Sequence, residues 1–524
     1  MMGSAQSMAT EGHRRLSLSP TAVVLLIGVI CALVLALPGV TVTTKSLDEL
    51  FLLLDGIHYI VTGQVPSRDF STALGPLAFY GPAAGFALTG SLGSAMPVAM
   101  ASFTAILTLI ASHVLVSRLH PFLAIAFAAF LLLILAAPMN LGDAVTALSF
   151  AMFYNRIGWV ALALLLVLYL SPHRMAQGST LKDAAAAAAL TLLMVYLRVS
   201  YGLVALVFLL FMTTDRGQRR WAALAIVLTA LMLLAVELLW GGSSTYLRDS
   251  WQAMRQTSAD YLQLGVAHLA DFLLLSLLAG LGLWRHWSVR DFVFFIFCGA
   301  AGLWLLSQNV QGWGIISIHA AAAVAAQRLL QQMDAVSETY EGAFVNRSGV
   351  KLFFLAFVLP TALHCAMALA LHAGAATVRA GQALELPRLS DIRLADLWTG
   401  GDFGGGRWYL STVNDGLSLL ARQDIPIGRL TVVGAVDAFS PVLDLPSGDG
   451  NGGGVVDLRW SGMETVSPQR ALAGAETILF RNPGDTPVGA AALYLDFAGR
   501  NFSRVGESQH WILFRRNQPT AVPE

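Results

Sequence analysis

The residues best suited to chemistry lie in residues 46–86, directly after the first long apolar run. This segment reads "SLDELFLLLDGIHYIVTGQVPSRDFSTALGPLAFYGPAAGF" and contains four acidic residues, Asp48, Glu49, Asp55 and Asp69. A carboxylate can take the proton of a hydroxyl nucleophile, which makes Asp48 a candidate general base and Glu49 its substitute. Acidic residues also stabilise the first turn of a helix, so a purely structural role for Asp48 stays open.

A second set of polar residues lies in and beside the loop that follows the third apolar run. Asp143 follows the breaker-rich stretch "PMNLG", and Tyr154, Asn155 and Arg156 stand where the chain turns apolar again. Asp143 is either a second carboxylate of the site or the N-cap of a helix over "AVTALSF". Arg156 is either an interface anchor or a ligand for an arriving phosphate.

One arginine lies inside an apolar run. Arg198 stands between Tyr196 and Tyr201 in the run 184–213, which is too long for one span. A charge at membrane depth costs about 2.5–3.5 kcal/mol unless it is paired or hydrated, so a functional role is the default hypothesis. We predict two short helices meeting near Arg198, whose partner is a lipid phosphate or an acidic residue of an outer loop.

Two further polar stretches are candidates for substrate contacts. Arg68 and Asp69, in "PSRDF", either hold their loop by an ion pair or present charge to the substrate. Gln308, Asn309 and Gln311, in "QNVQGW", suit sugar hydroxyls, and helix capping is equally compatible with their position.

Composition places the chain in a membrane. Its 524 residues are 56% hydrophobic and 12% charged, and the formal net charge is +0, which favours no nucleic-acid partner. Cys31, Cys298 and Cys365 all lie in apolar runs, so neither a disulfide framework nor a thiolate metal site is indicated. Metalloprotease, Walker and dinucleotide motifs are missing, and the glycines of "GDFGGGR" and "GDGNGGG" are predicted to form loops.

The apolar runs predict a mostly α-helical bundle of about 11 transmembrane helices. The basic short loops fall on the side of the amino terminus, which the positive-inside rule makes cytoplasmic. Residues 1–20 are then a cytoplasmic tail, 21–373 the transmembrane domain, 46–93 its first outer loop, and 374–524 a periplasmic domain.

The first outer loop is predicted to contain two juxtamembrane helices. One starts at Leu47 and ends at Gly63, a second begins near Gly75, and the next true span begins near Ser94. Residues 374–524 are predicted to form a small α/β domain, with strands over "RLTVVGAV", "ETILFRN" and "HWILFRR" and helices over "YLSTVNDGLSLLARQ" and "GAAALYLDFAGRNF".

A membrane bundle with an acidic residue beside its first span, juxtamembrane helices and an outer soluble domain resembles the C-type integral-membrane glycosyltransferases (GT-C fold). Residues 46–90, Asp143 and the hydrophobic architecture of 1–373 carry the resemblance. Relatives in that family include aminoarabinose transferases and protein O-mannosyltransferases. The resemblance implies a sugar donor bound to polyprenyl phosphate.

The resemblance also implies roles for the polar residues. Asp48 is the expected catalytic base, with Glu49 as its substitute, and Asp143 assists it or joins Asp48 in holding a divalent ion, Mg or Mn. The expected substrate-binding residues are Arg68, Asp69, Tyr154, Asn155, Arg156, Arg198, Tyr201, Gln308, Asn309 and Gln311.

The sequence therefore predicts a glycosyltransferase of the bacterial inner membrane. It would move a sugar from a polyprenyl-phosphate donor to a glycan or lipid acceptor on the outer side. A transporter or flippase is the first alternative, yet it predicts interrupted helices in two matching halves, and the chain shows one interruption, near Arg198. A non-catalytic membrane partner of envelope polysaccharide assembly is the second alternative.

Overall fold

The protein is mostly helical, with two small sheets. The computed structural model describes residues 18–70, 72–173, 179–256, 260–283, 288–308, 311, 314–335, 346–423, 426–446, 467–482 and 490–517. The helices up to residue 377 are α1 (Pro20–Ala36), α2 (Leu47–Val61), α3 (Leu77–Thr89), α4 (Leu92–Arg118), α5 (Pro121–Ala136), α6 (Phe153–Val167), α7 (Ser179–Leu197), α8 (Val199–Thr213), α9 (Arg219–Trp240), α10 (Ser243–Gln256), α11 (Tyr261–Ala267), α12 (Leu269–Leu283), α13 (Val289–Ser307), α14 (Ile316–Ala335) and α15 (Arg347–Thr377).

Several of these helices can cross a membrane. Across the described residues, α4, α7, α9, α13 and α15 are long and apolar enough, and α11 with α12 makes a sixth span if the pair, bent by 69°, counts as one. Five more apolar helices have 10–17 residues. A helix lies at each predicted run, while the count of about eleven spans stays a prediction.

The predicted break inside the long apolar run is confirmed. α7 ends at Leu197 and α8 begins at Val199, so Arg198 is the residue between them. Its backbone is extended, with φ −163° and ψ 122°, and its amide still donates to the carbonyl of Met194 at 3.0 Å. The chain therefore changes direction at the charged residue.

Residues 46–93, predicted to be the first outer loop, contain the two predicted helices, α2 and α3, and α4 begins two residues before the predicted Ser94. Two polar residues of α2 are buried. Asp55 and His58 are 0% and 4% exposed, so a solvent-facing position for Asp55 is excluded. Packing of α3 and of two helices from the C-terminal residues against α2 accounts for this burial.

The described part of the C-terminal residues contains four helices and most of the strands. The strands are β1 (Thr41–Thr43), β2 (Gln382–Ala383), β3 (Ile392–Leu394), β4 (Leu430–Val433), β5 (Thr477–Arg481), β6 (Phe502–Glu507) and β7 (Trp511–Arg516). The helices are α16 (Gly400–Ala421), α17 (Phe439–Leu443), α18 (Pro468–Ala471) and α19 (Ala490–Asn501). The predicted strands and helices of this region are confirmed, whereas β6, which pairs antiparallel with β7, was not predicted.

Two sheets organise these strands. One has the order β4-β5-β7-β6, with β4 and β5 parallel and the other pairs antiparallel. The other has the order β1-β3-β2, in which β1 and β3 run parallel with Thr43 opposite Leu394. Because β1 directly follows α1, this sheet attaches the C-terminal residues to the end of the bundle that carries α2, which we call the site end.

One local prediction was wrong, and one alternative left open by the sequence is excluded. The glycines of "GDFGGGR" lie in the first turns of α16 rather than in a loop, because that helix buries Gly406 against Leu394 and Gly416 against Phe439. Tertiary packing outweighs the low helix propensity of glycine here. The segment "AVTALSF" forms a turn and extended chain rather than a helix. The second glycine-rich stretch, "GDGNGGG", lies outside the described residues.

Candidate functional site

Backbone contacts bring the two predicted acidic stretches together. The hydroxyl of Thr44 donates to the carbonyl of Thr146 at 2.7 Å and accepts from the amide of Leu148 at 2.8 Å. The amide of Thr44 donates to the carbonyl of Leu148 at 2.9 Å. These bonds use the backbone groups that a helix after Asp143 would need, which explains why that predicted helix does not form.

The contact places Asp143 beside Lys45. The ammonium of Lys45 lies 3.0 Å from Oδ1 of Asp143, and both side chains are partly exposed. Oδ2 of Asp143 is buried without a hydrogen-bond partner in the described part of the chain. His364 donates from Nε2 to the carbonyl oxygen of Asp143 at 2.9 Å. The ammonium group of Lys45 thus fixes the side chain of Asp143, the second predicted carboxylate.

Sequence reasoning missed Lys45 and His364 as residues of this site. Lys45 had a usable signal, since it is one of three lysines in the chain and stands directly before "SLDE". His364 had none, because a histidine inside an apolar run is compatible with ordinary helix packing.

Asp48 and Glu49 lie in the first turn of α2, three and four residues after Lys45. Both are partly exposed, so they are open to a substrate. Glu49 is within electrostatic range of the hydroxyl of Tyr154. The start of α2 therefore borders both the Asp143 loop and the first turn of α6.

Arg198 lies beside the same set of polar residues. One guanidinium nitrogen donates to the backbone carbonyl of Gln308, at the end of α13. The guanidinium carbon is 5.8 Å from the ring centroid of Tyr154, a distance compatible with a cation–π contact. Tyr154 thus connects Glu49 with Arg198. Four predicted site residues therefore lie together: Glu49, Tyr154, Arg198 and Gln308.

Arg156 and its neighbours are more deeply placed. Arg156 is 1% exposed, and its three guanidinium nitrogens lack a hydrogen-bond partner within the described residues, as does Oδ1 of Asn155. Tyr201 is fully buried and donates to the carbonyl of Asn155 at 3.4 Å. Because a buried unpaired charge is strongly unfavourable, Arg156 is suited to an anionic partner.

Most of the remaining predicted site residues form ion pairs or hydrogen bonds with other groups of the chain. Arg68 and Asp69 form an exposed ion pair at 3.2 Å, and Asp69 also accepts from the amide of Val65 at 2.8 Å, as the loop-holding alternative predicts. Gln311 accepts from the indole of Trp159 at 3.1 Å. Asn309 lies outside the described residues.

The donor set gives little support to a metal ion at Asp48 and Asp143. The described residues contain no group of three or more His, Cys, Asp or Glu side chains that could hold one. An ion at Asp143 would also share the carboxylate with the ammonium of Lys45, whose charge repels it. These residues do not fit Mg or Mn well, and the reaction proposed below uses the side chains alone.

A close approach fixes the break that carries Arg198. The amide of Gly75, in the turn before α3, donates to the carbonyl of Leu197 at 3.0 Å. A Cβ atom at Gly75 would lie 2.0 Å from the carbonyl oxygen of Tyr196. The glycine of "GPL" therefore permits contact between the first outer loop and the end of α7.

Gly75→Ala is expected to destabilise the protein by about 1–3 kcal/mol, because the neighbouring element is backbone and cannot move aside easily. Unfolding in mixed micelles measures this loss. Gly374→Ala in α15, where a Cβ atom meets nothing within 4 Å, is the matched control and should be close to neutral. Equal stability of the two variants would contradict the role given to Gly75.

The fold is known from other proteins. No protein-family model matches the chain, and no curated protein matches it in sequence. The structure is similar to that of ArnT from Cupriavidus metallidurans bound to undecaprenyl phosphate, with 15% identity and a TM-score of 0.50, covering 97% of this chain and 100% of that one. The same protein in its apo state gives 15% identity and a TM-score of 0.48, over 94% and 97% of the two chains. ArnT is an aminoarabinose transferase of the GT-C type, and this chain has a fold similar to that of ArnT, in agreement with the resemblance seen in its sequence.

Proposed function

We propose that this protein is a membrane glycosyltransferase that uses a sugar linked to polyprenyl phosphate. Two findings support the proposal: the GT-C fold, and the convergence of acidic and basic side chains at the site end of the bundle. The acceptor would be a glycan or lipid on the outer face of a bacterial inner membrane. The C-terminal residues would then be periplasmic, in agreement with the distribution of basic loops.

The reaction follows from the charges at the site end. An acceptor hydroxyl attacks the anomeric carbon of the donor, and the bond from that carbon to the phosphate oxygen breaks. Asp48, or Glu49 in its place, accepts the hydroxyl proton. The polyprenyl phosphate leaves with the bonding electrons, and its negative charge is stabilised by guanidinium groups, for which Arg198 and Arg156 are the candidates.

Lys45 has a positioning role in this proposal. Its ammonium holds Asp143, and its backbone leads directly into the helix turn that presents Asp48 and Glu49. The position of the base thereby depends on the Asp143 loop. Within that convergence of charges, the observation that carries most weight is this ion pair, which joins Lys45, directly before the first predicted stretch, to Asp143, 98 residues further along the chain.

The proposal is tested with the purified protein in nanodiscs, a polyprenyl-phosphate sugar and a set of glycan and lipid acceptors. Transfer of label from donor to acceptor is the expected result. A transporter would instead move the lipid-linked sugar across the bilayer of a vesicle and leave the sugar–phosphate bond intact. Movement without transfer would therefore favour the alternative function.

Arg198→Gln is expected to weaken binding of the lipid-linked donor about tenfold to about a hundredfold, because a hydrogen bond to a charged group contributes about 1.5–3 kcal/mol. Donor titration followed by intrinsic fluorescence measures the change. Arg248→Gln, at an exposed arginine of α10 paired with Asp249, is the control and should bind normally. Unchanged affinity in Arg198→Gln would remove this arginine from the donor site.

A further inference from the structure

A buried pair of carboxyl groups lies where α2 contacts the C-terminal residues. The ring of Phe51 in α2 packs against Tyr409 of α16, with centroids 5.4 Å apart. Further along α2, Nε2 of His58 donates to the carbonyl of Leu445 at 2.7 Å. Asp55 lies between these contacts along α2, which packs against α17. It interacts electrostatically with Asp437, which stands just before α17. We call this region, comprising Asp55, His58 and Tyr59 of α2 with residues 437–445, the α2 seam.

The two carboxyl groups have different hydrogen bonding. Asp437 accepts from the amide of Phe439 at 2.8 Å, and from the amide and the hydroxyl of Ser440 at 2.9 and 2.6 Å. Asp55 is 0% exposed, and neither of its oxygens has a hydrogen-bond partner in the described part of the chain. The bonds to Asp437 stabilise a carboxylate, whereas nothing equivalent stabilises a charge on Asp55.

The other charged and titratable groups around the seam do not compensate such a charge. Among the described residues, no lysine or arginine is hydrogen-bonded to either carboxyl group. Tyr59 and His58 of α2 interact electrostatically with the pair, and His58 favours the charged form of Asp437 rather than of Asp55. The other titratable and charged groups on or beside the elements in contact with α2 are Asp48 and Glu49 of α2, Tyr80 of α3 with Arg68 and Asp69 nearby, Asp402, Arg407, Tyr409 and Asp415 of α16, and Asp444 with its ion partner Arg388.

Two buried carboxylates that interact electrostatically, one of them without a hydrogen-bond donor, cannot both be ionised without a large cost. We propose that Asp55 holds a proton in the α2 seam, so that docking of residues 437–445 onto α2 takes up a proton. Asp437 remains the charged partner, since its three hydrogen bonds favour the ionised form. This device goes beyond the proposed glycosyl transfer and does not depend on it.

The electrostatics of the site agree with this assignment. Burial, and then the charge of Asp437, raise the pKa of Asp55 well above its ordinary value. Burial also raises the pKa of Asp437, but the hydrogen bonds from Ser440 and Phe439 act against that rise. Burial and the nearby carboxyl groups likewise raise the pKa of Tyr59, which keeps its phenol neutral.

Docking of residues 437–445 onto α2 should weaken as the pH rises. Undocking removes the cover that residues 437–445 give Asp55 and lowers its pKa toward the ordinary value of about 4, whereas docking raises that pKa. Docking therefore has its full strength below about pH 4 and weakens as the pH rises. The docking constant falls by up to about tenfold per pH unit until the pH reaches the raised pKa, above which it is constant.

The seam is also connected to the candidate base. Asp48 stands seven residues before Asp55, two turns earlier on the same helix and on the same face. Docking of the C-terminal residues thus restrains the helix whose first turn presents Asp48 and Glu49. A rise in pH would loosen this restraint without touching the site itself.

Hydrogen exchange of the full chain in nanodiscs tests the proposal. Protection of peptides covering α2 and residues 437–445 is measured from about pH 5 to about pH 8, corrected for the intrinsic pH dependence of exchange. In the unsubstituted protein, protection should fall by up to about tenfold per pH unit over part of this range. Asp55→Asn, which mimics the neutral acid, should lose this fall, and Asp402→Asn, at an exposed acid of α16, should keep it.

Three hydrogen-exchange results would overturn the proposal: constant protection in the unsubstituted protein, a fall that persists in Asp55→Asn, or restoration of protection at high pH by added Mg²⁺ or Ca²⁺. The last result would mean that a cation rather than a proton neutralises the pair. Infrared spectroscopy of the unsubstituted protein gives an independent readout that needs no docking change. A protonated carboxyl band at neutral pH that disappears in Asp55→Asn supports the proposal, and identical spectra contradict it.

Discussion

Asp48→Asn is expected to lower the rate of sugar transfer by about 10²–10⁴-fold, the usual contribution of a general base. The amide has nearly the shape of the carboxylate but cannot accept the proton of the acceptor hydroxyl. Affinity for the lipid-linked donor should change little, because the donor phosphate is assigned to arginines. Single-turnover transfer with saturating donor separates the chemical step from binding.

The neighbouring carboxylate provides the informative comparison. Glu49→Gln should retain most of the transfer rate if Asp48 is the base, and Asp402→Asn, at an exposed acid of α16, should be indistinguishable from the unsubstituted protein. A large loss in Glu49→Gln with normal transfer in Asp48→Asn would move the base by one residue. Normal transfer in both variants would leave the proposed mechanism without a base.

Asp183→Asn is expected to destabilise the protein by about 3–5 kcal/mol, because it leaves a buried charge without its partner. Asp183 lies 2.6 Å from a guanidinium nitrogen of Arg118, and the two side chains are 4% and 0% exposed. Arg118 also donates to the carbonyl of Leu170 at 3.0 Å, so the pair joins α4 and α7 to the end of α6. The free energy of unfolding in mixed micelles measures the effect.

A double substitution distinguishes the energetic effect of the two charges from the effect of the side-chain volume. Arg118→Met combined with Asp183→Leu removes both charges, and it should cost less than Asp183→Asn alone, since an apolar pair of similar volume needs no buried partner. Donor affinity should be unchanged in both variants, because neither residue belongs to the candidate site. A loss below about 1 kcal/mol in Asp183→Asn would indicate a pair that behaves like an exposed one.

Local patterns predicted most elements because each rests on a short stretch of chain. The helix from Leu47 follows from apolar residues at helical spacing, and the break at Arg198 follows from the length of its run and the charge in its middle. The strands of the C-terminal residues follow from short β-branched runs between breakers. The glycine-rich start of α16 was missed, because its helix depends on burial against β3 and α17, which the local sequence does not show.

The sequence by itself determined the mostly helical fold with helices able to cross a membrane, the two helices and the carboxylates that follow the first apolar run, and the charged break at Arg198, since composition and periodicity are properties of neighbouring residues. Only the tertiary structure decided which of these residues meet. The pairing of Lys45 with Asp143, and the burial of Asp55 against Asp437, join residues separated by long stretches of chain. Such contacts arise from the packing of β1, α2 and the C-terminal residues, and the energy of a buried charge depends on those distant partners rather than on its neighbours in sequence.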